Sequence, residues 1–144
     1  MHISSKECLA EALQKLGIAN LRPQQEAPME AILNNEDVIV LMPTSGGKSL
    51  LYQLPAVMEP GSLTLVISPL ISLMQDQVKG LNAAGIHAAF INSSLTETQI
   101  ARALDLAAEG SYKLVYVAPE RLESPVFRSF AVGADISMIT VDEA

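Results

Sequence analysis

Apolar, β-branched residues are concentrated in four short runs along the chain. They occupy residues 38–42, 63–67, 114–117 and 136–141, and a weaker run covers residues 88–91. Apolar runs of this length, without polar alternation, are typical of strands that are buried on both faces of a sheet. The pattern therefore predicts a central sheet with helices on either side.

Helical patterns separate these runs. Apolar residues recur at helical spacing over residues 70–81 and 100–108, and each series stops shortly before a glycine. Ser94 and Glu97 precede the second series with the spacing of a capping box. Because a parallel return between strands needs a long crossover, this alternation predicts an α/β fold with parallel strands. Two further helices are predicted ahead of the first strand, at residues 4–15 and 23–33.

Composition and charge exclude several classes of protein. The 144 residues are 49% hydrophobic, yet no apolar stretch is long enough to cross a bilayer, so we expect a cytoplasmic protein without membrane contact. The lone Cys8, with His2 and His87, gives no disulfide and no zinc spacing. A net charge of −7 argues against holding nucleic acid by the overall field, so any DNA contact must be local.

The strongest local signal follows the first predicted strand. After Met42 the chain continues with the loop residues Pro43, Thr44, Ser45, Gly46, Gly47, Lys48 and Ser49. Glycines let backbone N–H groups close around phosphate oxygens, and the helix that follows adds positive potential. A lysine here reaches the β- and γ-phosphates, and a serine hydroxyl can bind Mg²⁺. The strict pattern has glycine where Met42 stands, but the strand, loop and helix setting still predicts a site for ATP and Mg²⁺.

Two other positions carry candidate chemistry. Asp142 and Glu143 end the last apolar run, where one carboxylate can orient Mg²⁺ and the other can polarise the attacking water. Two acids at a strand end are often only solvated, but the phosphate loop favours the catalytic interpretation. Gln25, close to Arg22, has an amide that can both donate to and accept from adenine, although from the residues alone it fits an ordinary surface glutamine better.

Five segments in this order resemble the motifs of the RecQ family of superfamily 2 DNA helicases. They are residues 21–25 (motif 0), 42–49 (motif I), 68–77 (motif Ia), 118–122 (motif Ib) and 142–144. The resemblance covers nearly every residue from Leu16 onward. This chain departs from the family at Leu21, where an aromatic residue is usual, and at Ser45, where a further glycine is usual.

The resemblance implies a RecA-like P-loop NTPase fold, with a mainly parallel sheet and helices on both faces, truncated after the Walker B strand. It divides the chain into a helical preface with an adenine-recognition motif at residues 1–34 and a partial ATP-binding domain at residues 35–144. The second motor domain, which would complete the ATP site, is expected to be missing.

The resemblance also implies roles for individual residues. Arg22 and Gln25 would lie at adenine, Lys48 and Ser49 at phosphate and Mg²⁺, Asp142 at the metal, and Glu143 would act as the base. Lys48 would also take part in catalysis. Positions similar to those near the DNA backbone are Ser68, Asn92, Ser93, Ser94 and Arg121. The Arg121 side chain has an equal alternative, which is a salt bridge within the fold.

The resemblance further implies that the intact protein couples ATP hydrolysis to 3′-to-5′ unwinding of duplex DNA in DNA repair and recombination, with single-stranded DNA and duplex junctions as its partners. Two alternatives remain open from the sequence. The isolated chain could be an ATP-binding fragment without turnover, which is our expectation for it, or the chain could belong to another P-loop enzyme such as a small-molecule kinase. Motifs 0, Ia and Ib count against the kinase.

Overall fold

The computed structural model describes residues 3–43, 47–59 and 61–142. Contacts between residues divide the chain into two units, Met1–Pro60 and Gly61–Ala144. Within the described ranges, no helix is both long enough and apolar enough to cross a membrane.

The described residues of the first unit form three helices: α1 (Ile3–Lys15), α2 (Pro23–Leu33) and α3 (Leu50–Met58). Pro23 occupies the first turn of α2, where its missing N–H costs no helical hydrogen bond. Helix α3 contacts both α1 and α2. Their shared core consists of the buried residues Ala12, Met29, Leu50, Leu51 and Leu54. The two helices predicted ahead of the first strand are confirmed.

The strand predicted at residues 38–42 is wrong. This segment has no strand assignment, and the side chains of Ile39 and Leu41 are 95% and 94% exposed. A β-branched run forms a strand only where a neighbouring strand pairs with its backbone groups. In the described part of the chain the four assigned strands pair only with one another, and residues 38–42 have no such neighbour.

The second unit is built on a four-stranded parallel sheet. Its strands are β1 (Thr64–Ile67), β2 (Ala88–Ile91), β3 (Leu114–Val117) and β4 (Met138–Val141), in the spatial order β2-β3-β1-β4. In the paired register Val66 lies beside Tyr116 on one side and Thr140 on the other. The four later strands that the sequence predicted are therefore confirmed, and so is their parallel direction.

Helices cover the sheet because both strand faces are apolar. Helices α5 (Glu97–Ala108) and α6 (Pro125–Gly133) cover the face of Leu65 and Val115, and Phe127 and Phe130 of α6 belong to that core. The opposite face is also buried, with Val66 and Tyr116 at most 1% exposed. Helix α4 (Ile71–Ala83) runs beside β2 and buries Met74, Val78 and Leu81. A 3₁₀ turn (Pro119–Glu123) links β3 to α6.

The predicted capping box at Ser94 is wrong by two residues. Helix α5 is capped by Thr96, whose hydroxyl accepts from the Gln99 backbone, while the Gln99 side chain accepts from the Thr96 backbone. Ser94 is instead held by Asn92, whose Oδ1 accepts from the Ser94 backbone N–H at 2.8 Å. A local side-chain turn therefore competes with the cap and delays the start of the helix.

Candidate nucleotide-binding site

The Gln25 side chain joins two parts of the first unit that are distant in sequence. Arg22 is the N-cap of α2 and has an extended backbone, which places Gln25 in the first helical turn. The Arg22 backbone N–H donates to Gln25 Oε1 at 2.8 Å, and Gln25 Nε2 donates to the Gly47 carbonyl oxygen at 2.9 Å. Gln25 is only 3% exposed, so this amide is buried rather than held out to solvent.

Gly47 needs to be glycine for two reasons. Its φ of +75° lies in the left-handed region that side chains with a Cβ rarely adopt. A Cβ added here would also lie 2.5 Å from Gln25 Nε2 and 3.6 Å from Arg22 Nη1. The first turn of α2 therefore packs directly against the end of the predicted phosphate loop.

Lys48 and Ser49 form the turn that leads into α3. The carbonyl oxygens of Gly47 and Lys48 accept from the backbone N–H groups of Leu50 and Leu51 at 3.3 and 3.0 Å. Ser49 is the N-cap, and its side chain makes no capping bond to the helix. Both side chains are half-buried at a helix N-terminus, where backbone N–H groups and the helix dipole favour an anion.

A cavity of about 150 Å³ lies beside these residues within the first unit. Its lining combines apolar and polar side chains: Leu16, Ile18, Asn20, Arg22, Gln25, Gly47, Ser49, Leu50 and Gln53. Leu16, Ile18, Asn20 and Gln53 were not among the predicted site residues. In the sequence, these residues are marked only by their places shortly before Gln25 or one turn into α3. That they line the same cavity depends on the tertiary fold, which spacing along the chain does not reveal.

A larger cavity of about 410 Å³ lies along α1. Its lining includes Leu9, Leu13 and Ile18, and it contains the amides Gln14 and Asn20 but no charged side chain. Phosphate recognition needs cationic groups or converging N–H donors. The smaller cavity, which reaches Gly47 and Ser49, is therefore the better candidate for a nucleotide.

Several predicted site residues lie outside the described residues. They are Thr44, Ser45 and Gly46 of the loop and the predicted base Glu143. Pro43 is described and exposed. Asp142 follows β4 in the second unit, where it is 8% exposed and its backbone N–H donates to the Ile67 carbonyl oxygen at 2.8 Å. Among the described residues, no group of three or more His, Cys, Asp or Glu side chains forms a metal site.

The carboxyl edge of the sheet carries most of the predicted DNA contacts. Ser68 follows β1, and its Oγ accepts from the Leu70 backbone at 3.3 Å. Asn92 follows β2, and its Nδ2 donates to Met74 Sδ at 3.3 Å. Both side chains are buried, whereas Ser93 and Ser94 are exposed. Of these four residues, only Ser93 and Ser94 have exposed side chains.

Arg121 makes the internal contact that the sequence left as an alternative. Its Nη1 lies 3.4 Å from Glu97 Oε1, in an ion pair whose side chains are 23% and 80% exposed. The Arg121 Nε group is buried and has no hydrogen-bond partner. An ion pair this exposed contributes little energy, so the pair does not tie down the guanidinium firmly.

The family model and the relatives that match this chain are all helicases. The model of the DEAD/DEAH box helicase family matches residues 22–144. The ATP-dependent DNA helicase RecQ of Bacillus subtilis is 44% identical over 129 residues, which are 89% of this chain and 22% of that protein. The ATP-dependent helicase SGS1 of Saccharomyces cerevisiae is 42% identical over 97% of this chain and 10% of its own length. The chain thus spans about a fifth or less of these relatives.

A solved structure supports the fold. The crystal structure of the DUF1998 helicase MrfA bound to DNA and AMPPNP matches with a TM-score of 0.78, over 98% of this chain and 21% of that one. The sequence identity is 22%, so the likeness concerns the fold alone. The predicted α/β, RecA-like fold is confirmed, and so is the predicted resemblance to RecQ helicases.

Proposed function

Because the chain belongs to the DEAD/DEAH box helicase family, we propose that it is the nucleotide-binding part of a RecQ-type, ATP-dependent 3′-to-5′ DNA helicase. The observation that carries the proposal is the hydrogen bond from Gln25 Nε2 to the Gly47 carbonyl oxygen. It joins the predicted adenine motif to the predicted phosphate loop inside one unit. We retain the division into a helical preface at residues 1–34 and a partial ATP-binding domain at residues 35–144.

The residues present fit a nucleoside triphosphate. Gly47 lets the Gln25 amide pack against the end of the loop, Ser49 has a hydroxyl that does not cap α3, and Lys48 supplies a cation at the helix N-terminus. Leu16 and Ile18 give the adjoining cavity apolar walls, which suit the faces of a base. In the proposal Arg22 and Gln25 contact adenine, while residues 43–49 hold the phosphates.

The proposal assigns Mg²⁺ to Ser49 and Asp142 and gives the role of base to Glu143. Ser49 and Asp142 would hold Mg²⁺, which when bound would supply positive charge next to the phosphates. Hydroxyl and carboxylate oxygens are ligands that this ion prefers, and Asp142 is only 8% exposed at its strand end. Lys48 would stabilise charge on the phosphates during transfer.

The proposed partner is DNA, as single strands and duplex junctions, along the carboxyl edge of the sheet. Ser93 is exposed there and can donate to phosphate oxygens, whereas the exposed Ser94 hydroxyl already donates to Asn92 Oδ1 and would have to exchange that bond for a phosphate. Ser68 and Asn92 would shape the loops, since their side chains are bonded internally. Arg121 would exchange its weak ion pair with Glu97 for a phosphate. The net charge of −7 keeps such binding weak and sensitive to salt.

Calorimetric titration with ATP and GTP in the presence of Mg²⁺ tests this function. We expect the chain to bind ATP, and to bind GTP more weakly because the Gln25 amide does not match guanine. Lys48→Ala should lose most of its affinity for both nucleotides. Equal affinity for the two nucleotides would remove the adenine role of Gln25. No binding of either one by the intact chain would overturn the nucleotide site as a whole.

A further inference from the structure

We propose that Glu97 sets the affinity of the carboxyl edge of the sheet for DNA, because its carboxylate occupies the Arg121 guanidinium until a phosphate displaces it. This inference rests on the DNA partner proposed above, and it gives a role to a residue that the predicted site did not include. Glu97 would compete with the phosphate without contacting DNA itself. Its removal should therefore strengthen binding, whereas the loss of a true contact weakens it.

Arg121 carries the positive charge at this edge. The segments that follow the four strands are residues 68–70, 92–96, 118–124 and 142–144, and Arg121 is the sole basic residue in them. Hydroxyl and backbone N–H groups also contact phosphates, but cationic side chains supply the electrostatic attraction. In a chain with a net charge of −7, the attraction for a phosphate at this edge comes chiefly from Arg121. Whatever occupies its guanidinium therefore limits the affinity for DNA.

Glu97 uses only part of what the guanidinium can offer. The two side chains share one long hydrogen bond, in which Arg121 Nη1 donates to Glu97 Oε1 at 3.4 Å. Arg121 Nε is buried and has no partner. A guanidinium and a phosphate can instead form two parallel N–H to oxygen bonds. A phosphate that draws the guanidinium towards it would therefore gain a hydrogen bond that Glu97 does not supply, and this favours the exchange.

Glu97 lies where an anion is favoured, yet it can leave that position. It is the first residue of α5 and follows the N-cap Thr96, at a helix end whose dipole attracts negative charge. Its side chain is 80% exposed, against 23% for Arg121, so the carboxylate can turn into solvent without losing a buried contact. A phosphate cannot share the position with the carboxylate, because the two negative charges repel at contact distance. Binding of DNA at Arg121 therefore requires that Glu97 move away.

The test compares two charge-removing substitutions in the same helix. Glu97→Gln keeps the size of the side chain, and Glu109→Gln is the matched control, at an exposed position at the other end of α5. Binding of a single-stranded oligonucleotide by the full chain is measured by fluorescence anisotropy at low salt. We expect Glu97→Gln to bind about 3- to 10-fold more tightly, since an exposed ion pair and one repelling charge are each worth a few-fold. Glu109→Gln should change the affinity by less than about twofold.

Further measurements separate competition at Arg121 from a structural effect. Arg121→Gln should weaken DNA binding, and in that background Glu97→Gln should change the affinity no more than Glu109→Gln does. In the DNA-free chain, the NMR signal of the Arg121 Nε–H should shift in Glu97→Gln and stay in place in Glu109→Gln.

The outcomes distinguish this inference from the proposed function. If the unmodified chain binds DNA and Glu97→Gln binds it no more tightly, the inference is overturned and the proposed DNA partner stands. A gain that persists in the Arg121→Gln background overturns it as well. If neither the unmodified chain nor Glu97→Gln binds the oligonucleotide, the proposed DNA partner fails and this inference with it.

Discussion

Substitution of Gly47 by alanine gives a sharp prediction, because the structure imposes two separate costs on it. The left-handed φ of +75° costs a residue with a Cβ about 1 to 2 kcal/mol. The new Cβ would also lie 2.5 Å from Gln25 Nε2, so the amide must move away. Its displacement breaks the bonds to Gly47 and Arg22, at about 1 kcal/mol each.

Together these terms disfavour the present loop conformation by about 3 to 4 kcal/mol. If only this conformation binds phosphate, the ATP affinity of Gly47→Ala falls by roughly 100- to 1000-fold, because each 1.4 kcal/mol is a factor of ten. Calorimetric titration with ATP and Mg²⁺ measures the loss. An ATP affinity within threefold of that of the unmodified chain would show that Gly47 is not held in this conformation for binding.

Two other glycines serve as controls. Gly17 has the same φ of +75° and lies in the same unit, but nothing lies within 4 Å of an added Cβ. The change in the free energy of unfolding of Gly17→Ala therefore measures the backbone strain alone. Gly110, with φ of +87° and equally open space, lies in the second unit. Gly110→Ala should lower stability by about 1 to 2 kcal/mol without changing ATP affinity.

Three further predictions concern the site and the fold. Lys48→Ala should lower ATP affinity at least tenfold while changing the free energy of unfolding by less than about 1 kcal/mol, since the side chain is only half-buried. Leu114→Ala should cost about 2 to 5 kcal/mol in urea unfolding, because Leu114 is fully buried in β3. Ser124→Ala should cost about 1 kcal/mol, because the Ser124 hydroxyl accepts from the Phe127 backbone N–H at 3.1 Å and caps α6. Losses under 0.5 kcal/mol for both variants in the second unit would contradict these assignments.

The sequence predicted the sheet of the second unit well because its strands are buried on both faces. Residues 88–91 and 114–117 form strands with the predicted bounds. The same reasoning failed at residues 38–42, which are equally apolar. Composition indicates that a segment can form a strand, but it carries no information on whether a partner strand is available to pair with it.

At the candidate site, local motifs identified the loop but not its surroundings. The glycine and lysine pattern selected Gly47, Lys48 and Ser49 directly. The bond from Gln25 to Gly47 spans 22 positions, and no spacing rule predicts it. The walls formed by Leu16 and Ile18 were missed for the same reason, because apolar residues before a helix look alike until the fold brings them to a cavity.

Amide NMR of the labelled chain during titration with ATP and Mg²⁺ shows whether the residues around Gln25 and Gly47 bind ATP. We expect the largest shifts at Gln25, Gly47, Lys48 and Ser49, and we expect Lys48→Ala to remove them. Shifts confined to Leu9 and Leu13 of the larger cavity, or no shifts at saturating ATP, would contradict this expectation.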